Sequence, residues 1–178
     1  MAIFKNRLVS RQETFFAFVA CSFPIYIWTF YKIFNQIPAW IIKLNIWEVA
    51  SVSAYAVAFS LFESLLLCLF FLIIGGILPE RFFRKKFVAH VMMMMMVSSI
   101  WAVIAQFSYS EVYGWTFAEL LPWLSVYLFS IFIIYFLVQR FDQLANVVHR
   151  VVQGISVLAT LYIFVGVIGL VIVIIRNI

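Results

Sequence analysis

One apolar stretch, Val49–Leu78, restricts the possible folds of this chain more than any other feature of the sequence. It holds thirty residues with a single charge, that of Glu63 near its middle. About 20 consecutive apolar residues are enough to span the hydrocarbon core of a bilayer. A soluble domain has no place for a continuous apolar run of this length. The stretch therefore predicts a transmembrane helix.

The composition of the whole chain also indicates a membrane protein. Of the 178 residues, 67% are hydrophobic and 11% are charged, which is far from the composition of a soluble domain. The net charge of +5 does not indicate nucleic-acid binding, because the basic residues lie at the ends of apolar runs. Cys21 and Cys68 lie inside apolar runs and predict neither a disulfide framework nor a metal site.

Five apolar runs are long enough to cross a membrane, and we predict a single all-α transmembrane domain over residues 1–178. The predicted spans are residues 14–34, 49–78, 87–107, 117–139 and 154–175. Thr116 and Glu119 have the spacing of a capping box, which places the start of the fourth helix at Phe117. The polar residues before the fifth span are expected to form an amphipathic lead-in to it.

The connector between the first two spans has a helical pattern of its own. Apolar side chains recur at helical spacing within residues 37–48, with Trp40 and Trp47 among them. Tryptophans favour the headgroup level of a bilayer, and Pro38 suits the first turn of a helix. We therefore predict a short amphipathic helix lying in the interface. It would act as a surface anchor, or alternatively as a gate for a substrate.

The distribution of basic residues predicts the orientation. With five spans, one side of the membrane holds nine basic residues: Lys5, Arg7, Arg11, Arg81, Arg84, Lys85, Lys86, Arg140 and Arg150. The other side holds Lys32, Lys43 and Arg176, which completes the total of twelve. The positive-inside rule then puts the N-terminus in the cytoplasm and the C-terminus outside. We expect the membrane to be a prokaryotic cytoplasmic membrane.

Three spans carry rows of small or polar residues, which permit close approach of another helix. These rows are Ser53–Ala56–Ser60 with Glu63 one turn on, Ser99–Ala102–Gln106, and Ala159–Gly166–Gly169. A bundle of five helices is not expected to satisfy all three rows within itself. The rows therefore predict packing against another membrane protein or against a second copy of this chain.

Glu63 has two interpretations, since a carboxyl group at mid-depth is costly and is a functional-site hypothesis by default. It can be a protonatable or cation-coordinating group in a pathway lined by Ser53, Ser60 and Ser99. It can also be a neutral acid that holds a partner helix by a hydrogen bond. No basic residue lies deep within a span, so the sequence offers this carboxyl no cationic partner at its depth.

Catalytic and metal-binding patterns are not found in the sequence. It contains no HExxH, CxxC, GxSxG or Gly-rich phosphate loop, so we predict neither an enzyme nor a cofactor. The row Met92–Met96 has thioethers that suit Cu(I), but five consecutive residues point all around a helix, so apolar packing is expected instead. The basic cluster Arg81, Arg84, Lys85 and Lys86 is expected to act mainly as a topology signal, with contact to anionic lipid headgroups as a secondary role.

These observations predict a non-catalytic integral membrane subunit or scaffold. Its expected partners are membrane lipids and either other membrane subunits or copies of itself, with no nucleic acid. The alternative is a small channel or a proton-coupled or cation-coupled carrier that uses Glu63. Five helices lack the paired halves typical of transporters, which favours the first prediction.

Overall fold

The computed structural model describes residues 10–78, 83–108 and 116–178. Within these residues the chain forms five long helices and a 3₁₀ turn, Arg84–Lys86, which confirms the all-α prediction. The helices are α1 (Arg11–Lys43), α2 (Ile46–Ile77), α3 (Phe87–Phe107), α4 (Phe117–Arg140) and α5 (Asp142–Asn177). All five are long and apolar enough to cross a membrane.

Capping boxes set the beginnings of three helices. Ahead of α2, the Asn45 side chain accepts a hydrogen bond from the Glu48 amide, and the Glu48 carboxylate accepts one from the Asn45 amide, both at 2.9 Å. Ser10 and Glu13 make the same exchange ahead of α1. The predicted start of α4 at Phe117 is confirmed, with the Thr116 amide donating to Glu119 at 2.7 Å. These exchanges satisfy backbone amides that have no partner within the helix.

The separate interfacial helix is a prediction that the structure corrects. Residues 37–43 are the last turns of α1, which runs without interruption through Pro24 and Pro38, and residues 46–48 are the first turn of α2. Pro38 removes one backbone hydrogen bond, but the capping exchange that starts a new helix lies further on, at Asn45. The connector is therefore helical, as expected, but it is divided between its two neighbours.

The predicted lead-in to the fifth span is likewise part of a longer helix. α5 begins at Asp142 and continues for 36 residues to Asn177. At 1.5 Å per residue its length is about 54 Å, well beyond the roughly 30 Å of a hydrocarbon core. Part of α5 therefore extends past the apolar region or tilts within it.

The bundle has α1 at its centre. α1 packs against α2, α3 and α5, while α4 packs mainly against α3 at the edge. α2 and α3 flank α1 and have little contact with each other within the described residues. In α4 the buried position is Val138, and large apolar side chains cover the rest of that helix. Such a helix suits contact with lipid on most of its surface.

The glycines of α5 are used inside the bundle, so their row is one that the chain satisfies within itself. A Cβ atom added to Gly169 would lie 2.9 Å from the carbonyl oxygen of Ala54 in α2. A Cβ atom on Gly166 would lie 2.6 Å from the hydroxyl of Tyr26 in α1. Ala159, the third member of this row, is also buried. Close helix contact is therefore correct for this row, but the neighbours are α1 and α2 of the same chain.

The face of α2 that is buried in the structure is adjacent to the predicted packing row Ser53–Ala56–Ser60, and is not that row itself. Ser60 is buried, but Ser53 and Ala56 are only half-buried. The buried positions of α2 are Ser51, Ala54, Val57, Ser60, Ser64, Cys68, Phe71 and Gly75. This face is also rich in small residues, so α2 approaches α1 and α5 closely along it.

Candidate functional site

A groove of about 750 Å³ opens on the side of the bundle where α2 and α3 stand apart. α1 forms its floor, α2 and α3 form its walls, and Tyr127 of α4 extends the α3 side. Its size is in the range of ligand-binding pockets, and its lining is mostly apolar with a few polar groups. The polar side chains that line it are Thr29, Glu63, Ser98, Ser99, Gln106 and Tyr127.

Glu63 is the acidic residue of this lining and lies on the α2 wall. Its side chain is exposed, and it makes no hydrogen bond or ion pair with the described residues. It stands 17 residues after the start of α2 at Ile46 and 14 before its end at Ile77. The carboxyl group is thus presented from the middle of a membrane-spanning helix without a partner in this part of the chain.

A hydrogen bond between α1 and α2 accounts for the direction in which Glu63 faces. The Ser60 hydroxyl donates to the Ala56 carbonyl at 2.9 Å. A hydroxyl has one proton to donate, so the Thr29 hydroxyl, 2.6 Å away, donates to Ser60. Ser60 is thereby held against α1. Glu63 comes three residues later, 300° further around the helix and so almost a full turn on. It therefore lies beside Ser60, at the edge of the contact between α1 and α2.

The structure brings together part of the predicted polar site. Ser99, which the sequence suggested for a pathway with Glu63, lines the same groove, together with Ala102 and Gln106 of its row. Ser53 and Ser60 do not line it, although Ser60 is within one turn of Glu63. Ser99 donates to the Met95 carbonyl at 2.7 Å, so its hydroxyl proton is used within α3. Ala102 is exposed in the groove wall.

Tyr127 was not recognised in the sequence as a site residue. Its hydroxyl lies 2.9 Å from that of Ser98, and this hydrogen bond joins α4 to α3 at the groove. The ring of Trp123, one turn earlier, packs edge-on against Trp101 of α3, with ring centroids 5.0 Å apart. A spacing of four residues between two aromatic side chains was the available sign of a shared face.

A cation lies beside the groove on α1. The Lys32 ammonium stands over the ring of Trp28, 4.8 Å from its centroid, and Trp28 lines the groove. The attraction between an ammonium and the face of an indole ring holds Lys32 in this position. Lys32 therefore contributes positive charge near one end of the groove, without contacting Glu63.

A second polar site, which the sequence did not reveal, lies where α3, α4 and α5 meet. The Lys86 ammonium donates to the carbonyls of Val138 at 2.8 Å and Gln139 at 3.0 Å. It also lies 2.8 Å from the Asp142 carboxylate. The last carbonyls of a helix have no partner within it and attract cations. Lys86 thus closes the end of α4 and holds the α4–α5 junction.

This contact corrects the role predicted for one member of the basic cluster. Lys86 is used within the protein and is not free for lipid headgroups. Lys85 is exposed, whereas Arg84 is half-buried and takes part in an interaction. Arg81 lies outside the described residues.

His90 is fully buried one turn after Lys86. Its Nδ1 atom is 2.9 Å from the Lys86 carbonyl oxygen, to which it donates. The imidazole stacks on Phe83 at a centroid distance of 5.1 Å and packs against Tyr135 of α4 at 5.2 Å. His90 thereby packs α3 against α4.

The chemistry that these sites can perform is limited. Among the described residues no group of three or more His, Cys, Asp or Glu side chains is placed to hold a metal ion. Met92 and Met95 pack in the core, and Met96 lines the groove. The single carboxyl of the groove can accept a hydrogen bond or pair with a cation. Acid–base catalysis by two carboxyl groups would need a second acid beside it.

Comparison with protein-family models, with curated proteins and with solved structures finds no match for this chain. The groove and its residues must therefore be interpreted from their own geometry and chemistry.

Proposed function

We propose that this protein is a non-catalytic subunit or scaffold of a membrane complex. It would pack against another membrane protein, or against a further copy of itself, through the groove between α2 and α3. The observation that carries the proposal is the exposure of Glu63 in this groove without a partner among the described residues. The other small-residue contacts of α2 and α5 are made inside the chain.

The cost of an unpaired carboxyl in a membrane supports a docking role. An acidic residue at the centre of a transmembrane helix costs about 2.5–3.5 kcal/mol on insertion scales, and such residues face a protein neighbour or a wet cavity. Glu63 has the position for such a neighbour but forms no hydrogen bond or ion pair with the part of the chain that the structure describes. A partner that enters the groove would remove this cost, which gives a thermodynamic reason for assembly.

The shape of the α3 wall supports the entry of a helix. Ser99 and Ala102 lie on this wall, and Ala102 is exposed there. Small side chains let two helix backbones approach closely, which is the basis of packing between membrane helices. Apolar side chains such as Leu67 and Ile100 complete the lining and match an apolar partner.

The proposal includes an orientation and a membrane. The nine basic residues on the side of the N-terminus, against three on the other, favour an N-terminus in the cytoplasm and a C-terminus outside. A prokaryotic cytoplasmic membrane is proposed on the same grounds. The exposed Lys85 lies on the basic side and is the described member of its cluster best placed to contact anionic lipid headgroups.

A matched pair of substitutions tests the proposal. Ala102→Trp fills the groove wall, whereas Ala118→Trp places the same side chain on an exposed position of α4 outside the groove. In native membranes solubilised with mild detergent, we expect the unchanged chain and Ala118→Trp to migrate within a larger complex. Ala102→Trp should reduce that fraction. A chain that is monomeric in all three cases would contradict the proposal.

A second candidate function is a small channel or a carrier coupled to protons or cations. It is favoured by the polar groups of Ser98, Ser99 and Gln106, which line the same groove as Glu63. Carboxyl and hydroxyl groups in a membrane interior are typical of ion pathways. Against it stands the position of Glu63, which opens to the side of the bundle between α2 and α3.

A further inference from the structure

We infer that the groove receives a transmembrane helix of a different protein, and that this helix carries a lysine or arginine near its middle that pairs with Glu63. The inference rests on the proposed function and names the chemistry of the partner. It follows from the depth of Glu63, from the positions of the basic residues of this chain, and from the groove wall opposite Glu63.

The hydrogen bond between Thr29 and Ser60 gives the depth of Glu63 relative to α1. α1 and α2 are consecutive antiparallel helices, so residue 29 is level with residue 60, and residue 26 is level with Glu63. Tyr26 lies near the middle of α1, 15 residues after Arg11 and 17 before Lys43. Judged by its position along both α1 and α2, Glu63 therefore lies near the middle of the bundle along the helix axes. A partner group must reach the same depth.

The described residues of this chain place no cation at that depth. Among the five helices, the basic residue closest in depth to Glu63 is Lys32 of α1, which lies 11 residues before the end of that helix at Lys43. Lys32 is six residues beyond the level of Glu63, which corresponds to about 9 Å along the helix axis. It is also held over Trp28. A second copy in the same orientation would have its described basic residues at these same depths, so it offers no cation level with Glu63.

The depth also argues against a phospholipid as the partner of the carboxyl. The charged groups of a phospholipid lie at the interface, roughly 15 Å from the centre of a hydrocarbon core about 30 Å thick. Acyl chains can fill an apolar groove, but they offer no donor to an acid at its middle. Long side chains of a neighbouring helix can do so, since intramembrane acids and bases pair with one another.

The α3 wall, which lies opposite Glu63, has the shape to accommodate a helix that bears this lysine or arginine. Along α3 the groove extends from Met95 to Gln106, which is three turns of helix. Ser99 and Ala102 lie within these turns and leave room for a second backbone. A helix seated there would face Glu63 across the groove and could extend a lysine or arginine side chain to it.

Synthetic transmembrane peptides test the chemistry directly. The probe is a leucine-rich peptide of about 20 residues with one lysine at its centre. Two controls carry leucine at the centre, or the lysine one turn from an end. Each peptide is placed in phosphatidylcholine vesicles with the full-length protein, labelled through Ile178→Cys, and binding is followed by energy transfer. We expect the central-lysine peptide to bind roughly tenfold more tightly than either control.

Substitutions in the protein show whether the preference depends on the groove. Glu63→Gln and Glu63→Leu should abolish the preference for the central lysine, and Ala102→Trp should weaken binding of that peptide. Ala118→Trp should leave both unchanged. Equal binding of all three peptides, or a preference that survives Glu63→Leu, would overturn the inference.

A photo-crosslinker at position 102 in native membranes separates this inference from the proposed function. We expect a crosslink to a transmembrane segment that has lysine or arginine near its centre. A crosslink to a segment without such a residue, to a second copy of this chain, or to lipid overturns the inference. In the first two cases the proposed function survives. A crosslink to lipid alone, with a monomeric chain in detergent, contradicts both.

Discussion

The hydroxyl of Thr29 in α1 lies 2.6 Å from that of Ser60 in α2, and this short bond sets the register of the two helices beside the groove. Ser60 in turn donates to the carbonyl of Ala56. The two hydroxyls therefore form a chain that ends on the α2 backbone. Glu63 lies one turn further along α2, and its presentation to the groove depends on this register.

Removing this bond should weaken the α1–α2 contact by a modest amount. We expect Ser60→Ala and Thr29→Val to lower the free energy of unfolding, with a coupling energy between them of about 0.6–1.7 kcal/mol, the range for hydrogen bonds between membrane helices. The measurement is a double-mutant cycle by unfolding in mixed micelles. Ser125→Ala is the control, because Ser125 is exposed and bonds only to its own helix, at Leu121. If the changes in unfolding free energy caused by Thr29→Val and Ser60→Ala were additive, this would contradict a hydrogen bond between the two hydroxyls.

Lys86 should stabilise the protein through the end of α4 more than through its ion pair. Lys86→Met removes two hydrogen bonds from a charged donor, and hydrogen bonds to charged groups contribute about 1.5–3 kcal/mol each. Asp142 is 86% exposed, and exposed ion pairs contribute little. We therefore expect Lys86→Met to lower the midpoint of thermal unfolding in detergent clearly, and Asp142→Asn to lower it only slightly.

The neighbouring lysine provides the control for this prediction. Lys85 is exposed, so Lys85→Met should leave the unfolding midpoint nearly unchanged. If Asp142→Asn were as destabilising as Lys86→Met, the ion pair rather than the end of α4 would be the main contribution of Lys86.

Two glycines of α5 should respond to the same substitution with opposite sign. At Gly169 an added Cβ atom meets the Ala54 carbonyl oxygen at 2.9 Å, and a backbone atom of a packed helix does not move easily. Gly169→Ala should therefore cost about 1–3 kcal/mol, as overpacking does. At Gly154 nothing lies within 4 Å of the added atom. Gly154→Ala should stabilise α5 by about 0.5–1 kcal/mol through reduced chain entropy.

Equilibrium unfolding of the purified protein in mixed micelles measures both effects. The result also bears on the role of the glycine row, since a partner-facing row would leave the stability of the isolated chain unchanged by Gly169→Ala. Equal effects of Gly154→Ala and Gly169→Ala would contradict the close contact of α5 with α2.

The helices could be predicted from the sequence because long apolar runs and capping pairs are local features. α3 has the predicted bounds, and α4 starts at the predicted Phe117. The end of α1 was less predictable, since Pro38 is a local helix breaker and the helix nevertheless continues to Lys43. The identity of each neighbour was not predictable, because a small-residue row shows that a helix packs closely without showing against which helix. Gly169 contacts Ala54 of the same chain for this reason.

The candidate site could be predicted in part for a similar reason. Glu63 stood out because an acid in an apolar run is rare, and Ser99 stood out as a polar residue in a row on the third span. The exact face of α2 did not follow, because its hydrophobicity is nearly uniform around the helix and gives no direction. The contact of Lys86 with Val138 joins residues 52 positions apart, which no local pattern reveals.

The proposed orientation predicts a pattern of labelling. Single cysteines in residues 108–115 and at Ile178 should react with an impermeant thiol reagent in intact cells, whereas cysteines in residues 79–86 should react only after lysis. The native Cys21 and Cys68 are buried and should give a low background. Labelling of residues 79–86 in intact cells would reverse the orientation.

The last prediction distinguishes the two proposed functions, a non-catalytic subunit and a proton-coupled or cation-coupled carrier. If the protein is a non-catalytic subunit, liposomes that contain it should conduct protons or monovalent cations no faster than liposomes with Glu63→Gln. The amide of glutamine can still donate and accept hydrogen bonds, so the variant should fold. Glu119→Gln is the matched control, because Glu119 is an exposed acid at the start of α4 outside the groove. A flux that Glu63→Gln abolishes and Glu119→Gln preserves would instead favour the carrier, since it would require a titratable or charged group at this one position in the membrane interior.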